Sequence, residues 1–230
     1  MKFGGLQKLT LLDYPEHVAC TLFTVGCNLR CPFCHNRSLV VATDELQCLT
    51  EQEALEFLAK RKNVLEGVCI TGGEPLLQAG IEKFIAEVKS LGYKVKLDTN
   101  GCYPDKLKRL IDAGLIDYVA MDIKNSKALY NKTCGCVVEM ADICASVELL
   151  KSDVVEYEFR TTVTGTFHSE QSIEQAAQWL QGCKAWYLQQ FVDSGKLIDS
   201  TVVGTDAETL ARYQQIAQRY VPNTHLRGVK

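Results

Sequence analysis

The sequence predicts an α/β fold with a mainly parallel sheet, and three observations predict it. Six short apolar runs, rich in β-branched and aromatic residues, are each followed by a stretch of helical periodicity. Such alternation builds parallel sheets through right-handed crossovers. A full eight-unit barrel typically takes about 250 residues, so six units in 230 residues favour an open or partial (β/α)6 TIM-like barrel. Polar, glycine-containing turns close most of the strands, where parallel α/β folds bind their ligands. On periodicity alone, a doubly wound open sheet is the rival.

In chain order, residues 1–17 are expected to be a short lead-in ending in a turn at Asp13-Tyr14-Pro15-Glu16. The run 18–25 reads as a buried strand stopped by Gly26. Thr50-Glu51-Gln52-Glu53 is a capping box that opens a helix through Ala54, Leu55, Phe57 and Leu58. A short strand at 67–71 precedes a helix at about 79–90, with Ile81, Phe84, Ile85 and Val88 on one face and Gly92 as its stop. Residues 93–98 alternate as a strand, and Pro104 opens a helix that runs to Gly114. Another strand spans 117–122. Helical stretches near 140–151 and 172–181 flank strands at about 156–164 and 185–191. A C-terminal helix at about 205–220 starts at a second capping-box sequence, Thr205-Asp206-Ala207-Glu208. No repeat or linker interrupts the alternation, so residues 1–230 are expected to form a single domain.

Composition narrows the function classes. A net charge of −3 with 23% charged residues gives no electrostatic reason to expect nucleic acid or an anionic membrane as partner. No apolar run approaches a membrane span. Eleven cysteines are many, yet the number is odd and no secretory signal opens the sequence. Metal binding or reactive thiols are therefore expected over a disulfide scaffold, in a cytoplasmic protein.

The chemistry concentrates in Cys27-Asn28-Leu29-Arg30-Cys31-Pro32-Phe33-Cys34-His35, a Cys-x3-Cys-x2-Cys loop just past the first strand. Three thiolates at one point repel unless a cation holds them. Structural zinc sites close with four ligands, usually from paired knuckles, and no second knuckle is present. Three ligands without a fourth suggest an iron–sulfur cluster with one open iron. The alternative is an exposed loop of incidental cysteines, with or without zinc. Further polar turns fall at later strand ends: Thr71-Gly72-Gly73-Glu74-Pro75, Asp98-Thr99-Asn100-Gly101, Asp122-Ile123-Lys124 and Gln189-Gln190, with Arg160 inside a strand. Each alone reads as an ordinary turn or surface ion pair; together, beside a thiolate triad, they read as one pocket.

These residues resemble the radical S-adenosylmethionine (SAM) superfamily, whose signature is Cys-x3-Cys-x-aromatic-Cys, with Phe33 in the aromatic slot. The phrase GCNLRCPFCHN is similar to the branch that activates glycyl-radical enzymes. The stretches FGGLQKLTLLDYP, LDTNG, YVAMDIK and EFRTTV more narrowly resemble activating proteins of anaerobic ribonucleoside-triphosphate reductases. The resemblance implies a partial barrel in which Cys27, Cys31 and Cys34 hold three irons of a 4Fe–4S cluster and SAM occupies the fourth. It implies that Gly72, Gly73 and Glu74 hold the amino group of the methionine moiety, with Glu74 giving compensating charge or loop support. Asp122, Ile123 and Lys124 match an Asp-x-Lys motif that contacts SAM, and Arg160 lies where the activases have an arginine. Phe33, Cys34 and His35 border adenine and ribose, and Asp98 and Asn100 belong to the same surround. One departure is that Gln189 and Gln190 stand where pyruvate formate-lyase activases carry a SAM-touching histidine.

The implied reaction is one-electron cleavage of SAM, followed by hydrogen-atom abstraction from a glycine of a partner enzyme, most of all anaerobic ribonucleotide reductase. The electron would come from an external reductant such as flavodoxin or ferredoxin. Two alternatives stay open: a small-molecule radical SAM enzyme such as a 7-carboxy-7-deazaguanine synthase, and a non-catalytic zinc or redox-sensing protein. An auxiliary cluster on Cys102, Cys134, Cys136 and Cys144 is disfavoured, because the ferredoxin-like insert of some activases would lie where only Cys48 and Cys69 occur. Cys20, Cys69 and Cys183 read as small core hydrophobes. His168 and His225, without motifs, are expected on the surface.

Overall fold

A computed structural model describes residues 1–41, 46–193, 195 and 197–229. The chain has the α/β fold of the partial TIM-like barrel, and it divides into two compact units. The first comprises Met1–Asn28, Ser38–Ala120 and Val154–Glu156; the second comprises Leu29–Arg37, Met121–Asp153 and Tyr157–Lys230.

In the first unit the strands lie in the order β3 (Leu49–Thr50), β1 (Lys2–Thr10), β2 (Ala19–Thr24), β4 (Gly67–Gly72), β5 (Lys94–Thr99). Parallel pairing sets Ala19 to Thr24 against Gly67 to Gly72, and Gly67 to Ile70 against Lys94 to Leu97. The expected lead-in is instead largely strand: β1 pairs antiparallel with β2, from Phe3 opposite Thr24 to Thr10 opposite Ala19. Its sequence hides this because only Phe3 and Thr10 of the nine residues are buried, so no apolar alternation is written into it. Gly4 packs closely on Leu39, where a β-carbon would stand 2.4 Å from Cδ2 and that side chain would have to shift. Leu39 belongs to α1 (Arg37–Val40).

The helices of this unit follow their sequence signals. Thr50 and Glu53 form the expected capping box of α2 (Glu51–Ala59). Helix α3 (Ile81–Ser90) buries Ile81, Phe84, Ile85 and Val88, and α4 (Pro104–Asp112) buries Leu107, Leu110 and Ile111. These faces cover a fully buried strand layer that includes Leu22, Ile70, Val95 and Leu97. Strand β6 (Tyr118–Asp122) leaves the first unit after Ala120.

The second unit contains α5 (Tyr130–Cys134), α6 (Met140–Lys151), β7 (Glu156–Val163), α7 (Glu170–Leu180), β8 (Trp186–Gln190), α8 (Ala207–Gln218) and β9 (Thr224–Arg227). Strands β7, β8 and β9 pair in parallel, Phe159 opposite Trp186 and Trp186 opposite Thr224. Strand β9 was outside the six expected, because a four-residue segment with only Thr224 buried carries too little pattern to be read. The cap of α8 is Asp206, whose carboxylate accepts from Thr209 N, rather than the expected Thr205 box. Phe159, Trp186, Leu188, Ile143 and Leu180 form the core. Among the described residues, no helix is long and apolar enough to cross a membrane.

Candidate active site

In the first unit, three strand ends converge on the backbone around Gly26 and Cys27. Past β4 the chain folds against the loop that follows β2: Gly73 N donates to Thr24 O (2.9 Å) and Glu74 N to Gly26 O (2.8 Å). A β-carbon on Gly73 would stand 1.9 Å from the Gly26 carbonyl oxygen, so only glycine fits. Gly72 adopts φ 110°, a second reason for glycine in this turn. Glu74 is 1% exposed. Its carboxylate accepts from Leu76 N (2.9 Å), Thr99 Oγ1 (2.8 Å) and Asn100 N (2.8 Å). Of the two roles considered for Glu74, this geometry is that of loop support. Asn100, so positioned, donates through Nδ2 to Asn28 Oδ1 (2.8 Å) and lies 3.9 Å from Cys27 Sγ. Asp98 pairs with the buried Lys96 ammonium.

In the second unit, Cys31 and Cys34 share a turn in which Cys34 N donates to Cys31 O (3.0 Å). Phe33 is buried against Phe167, with ring centroids 6.0 Å apart, and the His35 ring stacks on Phe191 at 5.4 Å. The Cys134 loop buttresses this turn: Arg30 N donates to Cys134 O (3.0 Å), and a β-carbon on Gly135 would stand 2.3 Å from Arg30 O. Cys134 and Cys31 interact through their thiols, and this contact lowers the Cys31 thiol against the opposing effect of burial. Burial raises the Cys34 thiol.

Past β6, Asp122 stands between two cations. Lys124 Nζ lies 2.9 Å from Oδ2, and Arg160 approaches Oδ1 through Nε (3.1 Å) and Nη2 (3.0 Å). Burial alone would raise the Asp122 carboxyl, but the two charges and their hydrogen bonds bring it down to about 2. Burial likewise opposes the Lys124 charge, and Asp122 more than restores it, so Lys124 is held well above its ordinary value.

Cys27, Gly72, Gly73, Glu74, Asp98 and Asn100 thus belong to the first unit, and Cys31, Phe33, Cys34, His35, Asp122, Ile123, Lys124 and Arg160 to the second. Among the described residues, no group of three or more His, Cys, Asp and Glu side chains stands in metal-holding geometry. Three residues escaped sequence reasoning: Asn28 and Cys134, whose contacts are tertiary, and His168. His168 is 5% exposed rather than on the surface, because Thr164 and Lys124 supply the partners that let a histidine be buried.

This fold and its strand-end thiol loop define an α/β cofactor enzyme, and comparison with known proteins gives the family. The Radical SAM superfamily model matches residues 21–180. A Methanocaldococcus jannaschii protein, named provisionally as a glycyl-radical enzyme activating enzyme, is 30% identical over 98% of this chain and 95% of its own. The chain belongs to the radical SAM superfamily, in its glycyl-radical-enzyme activating branch. A pyruvate formate-lyase-activating enzyme of Staphylococcus aureus is 39% identical over 107 residues, 44% of this chain and 42% of that one. A 7-carboxy-7-deazaguanine synthase of Hyperthermus butylicus is 42% identical over 80 residues, 34% of this chain and 33% of that one. Among solved structures, Streptococcus suis SuiB bound to precursor peptide SuiA superposes with a TM-score of 0.71 at 16% identity, over 90% of this chain and 48% of that one. At that identity the likeness is one of fold.

The family's cofactors are a 4Fe–4S cluster and SAM, and the residues present fit them. An iron ligand must be a thiolate, and Cys27, Cys31 and Cys34 are all free thiols within one eight-residue stretch. Gly72 and Gly73 carry no side chain, so backbone is what this turn offers to a ligand's ammonium. Ser126 Oγ, two residues past Lys124, is buried and is the one such side-chain atom among the described residues without a hydrogen-bond partner.

Proposed function

We propose that this chain activates an anaerobic ribonucleoside-triphosphate reductase by generating a glycyl radical on it. The observation that carries the reading is the match over 98% of the chain and 95% of the M. jannaschii activating enzyme. The reductase as partner rests on the stretches FGGLQKLTLLDYP, LDTNG, YVAMDIK and EFRTTV. When bound, the cluster and SAM would supply the one-electron reductive and hydrogen-atom-abstracting chemistry that a glycine Cα of the partner requires.

The chain's own residues hold and orient. Cys27, Cys31 and Cys34 would hold the cluster. The backbone of Gly72 and Gly73 would receive the methionine ammonium. An ammonium has three donors, and Lys124 spends one on Asp122 (2.9 Å), so the others are free in number to meet the SAM carboxylate. Arg160 and Asp122 fix the position of that ammonium group. Phe33, Cys34 and His35 border adenine and ribose. The electron comes from a small reductant protein such as flavodoxin or ferredoxin.

The test is anaerobic: reconstituted protein, SAM, reductant and the anaerobic ribonucleotide reductase of the same organism should give a glycyl-radical doublet in electron paramagnetic resonance. The doublet should disappear when the reductase glycine is replaced. The 80-residue likeness to a 7-carboxy-7-deazaguanine synthase supports a second reading. Turnover of carboxytetrahydropterin, with no radical on any protein, would decide for it.

A further inference from the structure

Strand β6 stops at Asp122, and from there side chains as well as backbone satisfy the carbonyls. Buried carbonyls need donors, and here side chains provide them one residue at a time. Tyr130 OH donates to Asp122 O (3.3 Å), Thr161 Oγ1 to Ile123 O (2.7 Å), and His168 Nε2 lies 3.0 Å from Lys124 O. Ile123 N in turn donates to Arg160 O (2.7 Å). The whole Asp-x-Lys backbone is thereby tied to α5, to β7 and to the loop that precedes α7.

The tautomer of His168 follows from its neighbours. Thr164 N donates to Nδ1 (3.1 Å), so Nδ1 is the acceptor and Nε2 carries the hydrogen directed at Lys124 O. The ring's own backbone is fixed as well, because His168 N donates to Thr164 O (3.2 Å) and Tyr213 OH to His168 O (3.3 Å). Burial pushes the imidazole down to about 4, so one hydrogen and one acceptor persist through the neutral range.

We propose that His168 is a positioning residue: by donating to Lys124 O, it sets the backbone from which the Lys124 ammonium reaches both Asp122 and the SAM carboxylate. Thr161 and Tyr130 hold the two preceding carbonyls, but Lys124 O is the one on the residue whose side chain must be aimed. The inference rests on the reading that Lys124 contacts SAM, and its test separates the two.

The experiment uses cluster-loaded protein under anaerobic conditions and measures iron content and the SAM dissociation constant by spectral titration. His168→Leu and His168→Gln have similar bulk, but only glutamine can donate to Lys124 O. His168→Leu should retain iron and bind SAM about tenfold more weakly, the order of one lost hydrogen bond. His168→Gln should recover to within about threefold of the parent. In a Lys124→Ala background, His168→Leu should add less than about twofold, because the group it aims is gone. If Lys124→Ala weakens SAM binding while both His168 variants bind like the parent, the positioning role is wrong and the SAM placement stands. Equal losses for leucine and glutamine, or full additivity with Lys124→Ala, would reduce His168 to a packing role. If Lys124→Ala itself binds SAM normally, the underlying placement fails, and this inference with it.

Discussion

Gly73 and Gly26 touch backbone to backbone: a β-carbon on the first would stand 1.9 Å from the carbonyl oxygen of the second. Gly26 directly precedes Cys27, so the glycine turn after β4 and the first cysteine of the loop after β2 are one packed unit. The separation of Gly73 from Cys27 in sequence therefore says little about their independence.

Gly73→Ala should accordingly disturb the cysteine loop as well as any ligand contact. Overpacking against side chains costs about 1–3 kcal/mol, and here the obstacle is backbone, which yields less. The expected outcome is reduced iron incorporation and a lowered Tm. An alanine variant with full iron and the parent Tm would show that the loop moves aside freely.

Glu74→Gln tests the strut. The carboxylate accepts three hydrogen bonds in a buried site, from Leu76, Thr99 and Asn100. An amide turns one acceptor into a donor facing a donor, at a cost of about 1–3 kcal/mol. For a chain of this size that is roughly 2–12 °C in Tm at about 2–4 °C per kcal/mol. Glu74→Asp, too short to reach all three, should fall in the same direction. Unchanged Tm in both would mean that the loop is held by its backbone bonds alone.

Much of this was legible in the sequence, for physical reasons that differ by element. Strands β2, β4 and β6 are largely buried, so apolar runs mark them, and β5 shows as an alternation; helices α3 and α4 carry one apolar stripe each. Strand β1 was not legible, because its glycines and exposed polar residues write no alternation, and its place comes from pairing with β2. The cysteine loop and the Gly-Gly-Glu and Asp-x-Lys turns were legible as motifs. The inward aim of Glu74, the thiol contact of Cys134 with Cys31 and the burial of His168 were not. Each depends on a partner far along the chain, such as Glu74 with Asn100 and His168 with Lys124.

Asp122 gives a pH prediction. Its carboxyl is held at about 2 in the fold by Lys124 and Arg160, against about 3.9 in an unfolded chain. A depressed folded value means that the unfolded state binds more protons, so this stabilisation is present above about pH 4 and is lost as pH falls from about 4 to 2. The Asp122 side chain is 34% exposed, so solvent screening makes the effect smaller than the shift suggests. The gap in urea midpoint between parent and Asp122→Asn should be widest near pH 6 and shrink toward pH 2. A gap that stays constant over that range would mean the pair contributes through packing and not through charge.

The last prediction concerns the far end of the second unit. Arg227 on β9 makes a two-pronged bond to Glu158 on β7, Nη1 to Oε1 at 2.9 Å and Nη2 to Oε2 at 3.0 Å. Glu158 is 1% exposed, whereas the Arg227 side chain is 38% exposed and lies 3.9 Å over the Tyr187 ring. The asymmetry decides the outcome. Removing the arginine takes the charge partner from a buried carboxylate, and breaking such a pair costs about 3–5 kcal/mol. Removing the charge from both partners leaves a neutral buried polar group, a smaller loss of about 1–3 kcal/mol. Arg227→Ala should therefore be less stable at pH 7 than the double variant Glu158→Gln with Arg227→Ala. Chemical unfolding at pH 7 measures the difference. If the single variant is the more stable of the two at pH 7, Glu158 is reached by water once its partner is gone, and β9 is held by Tyr187 and its backbone ladder instead.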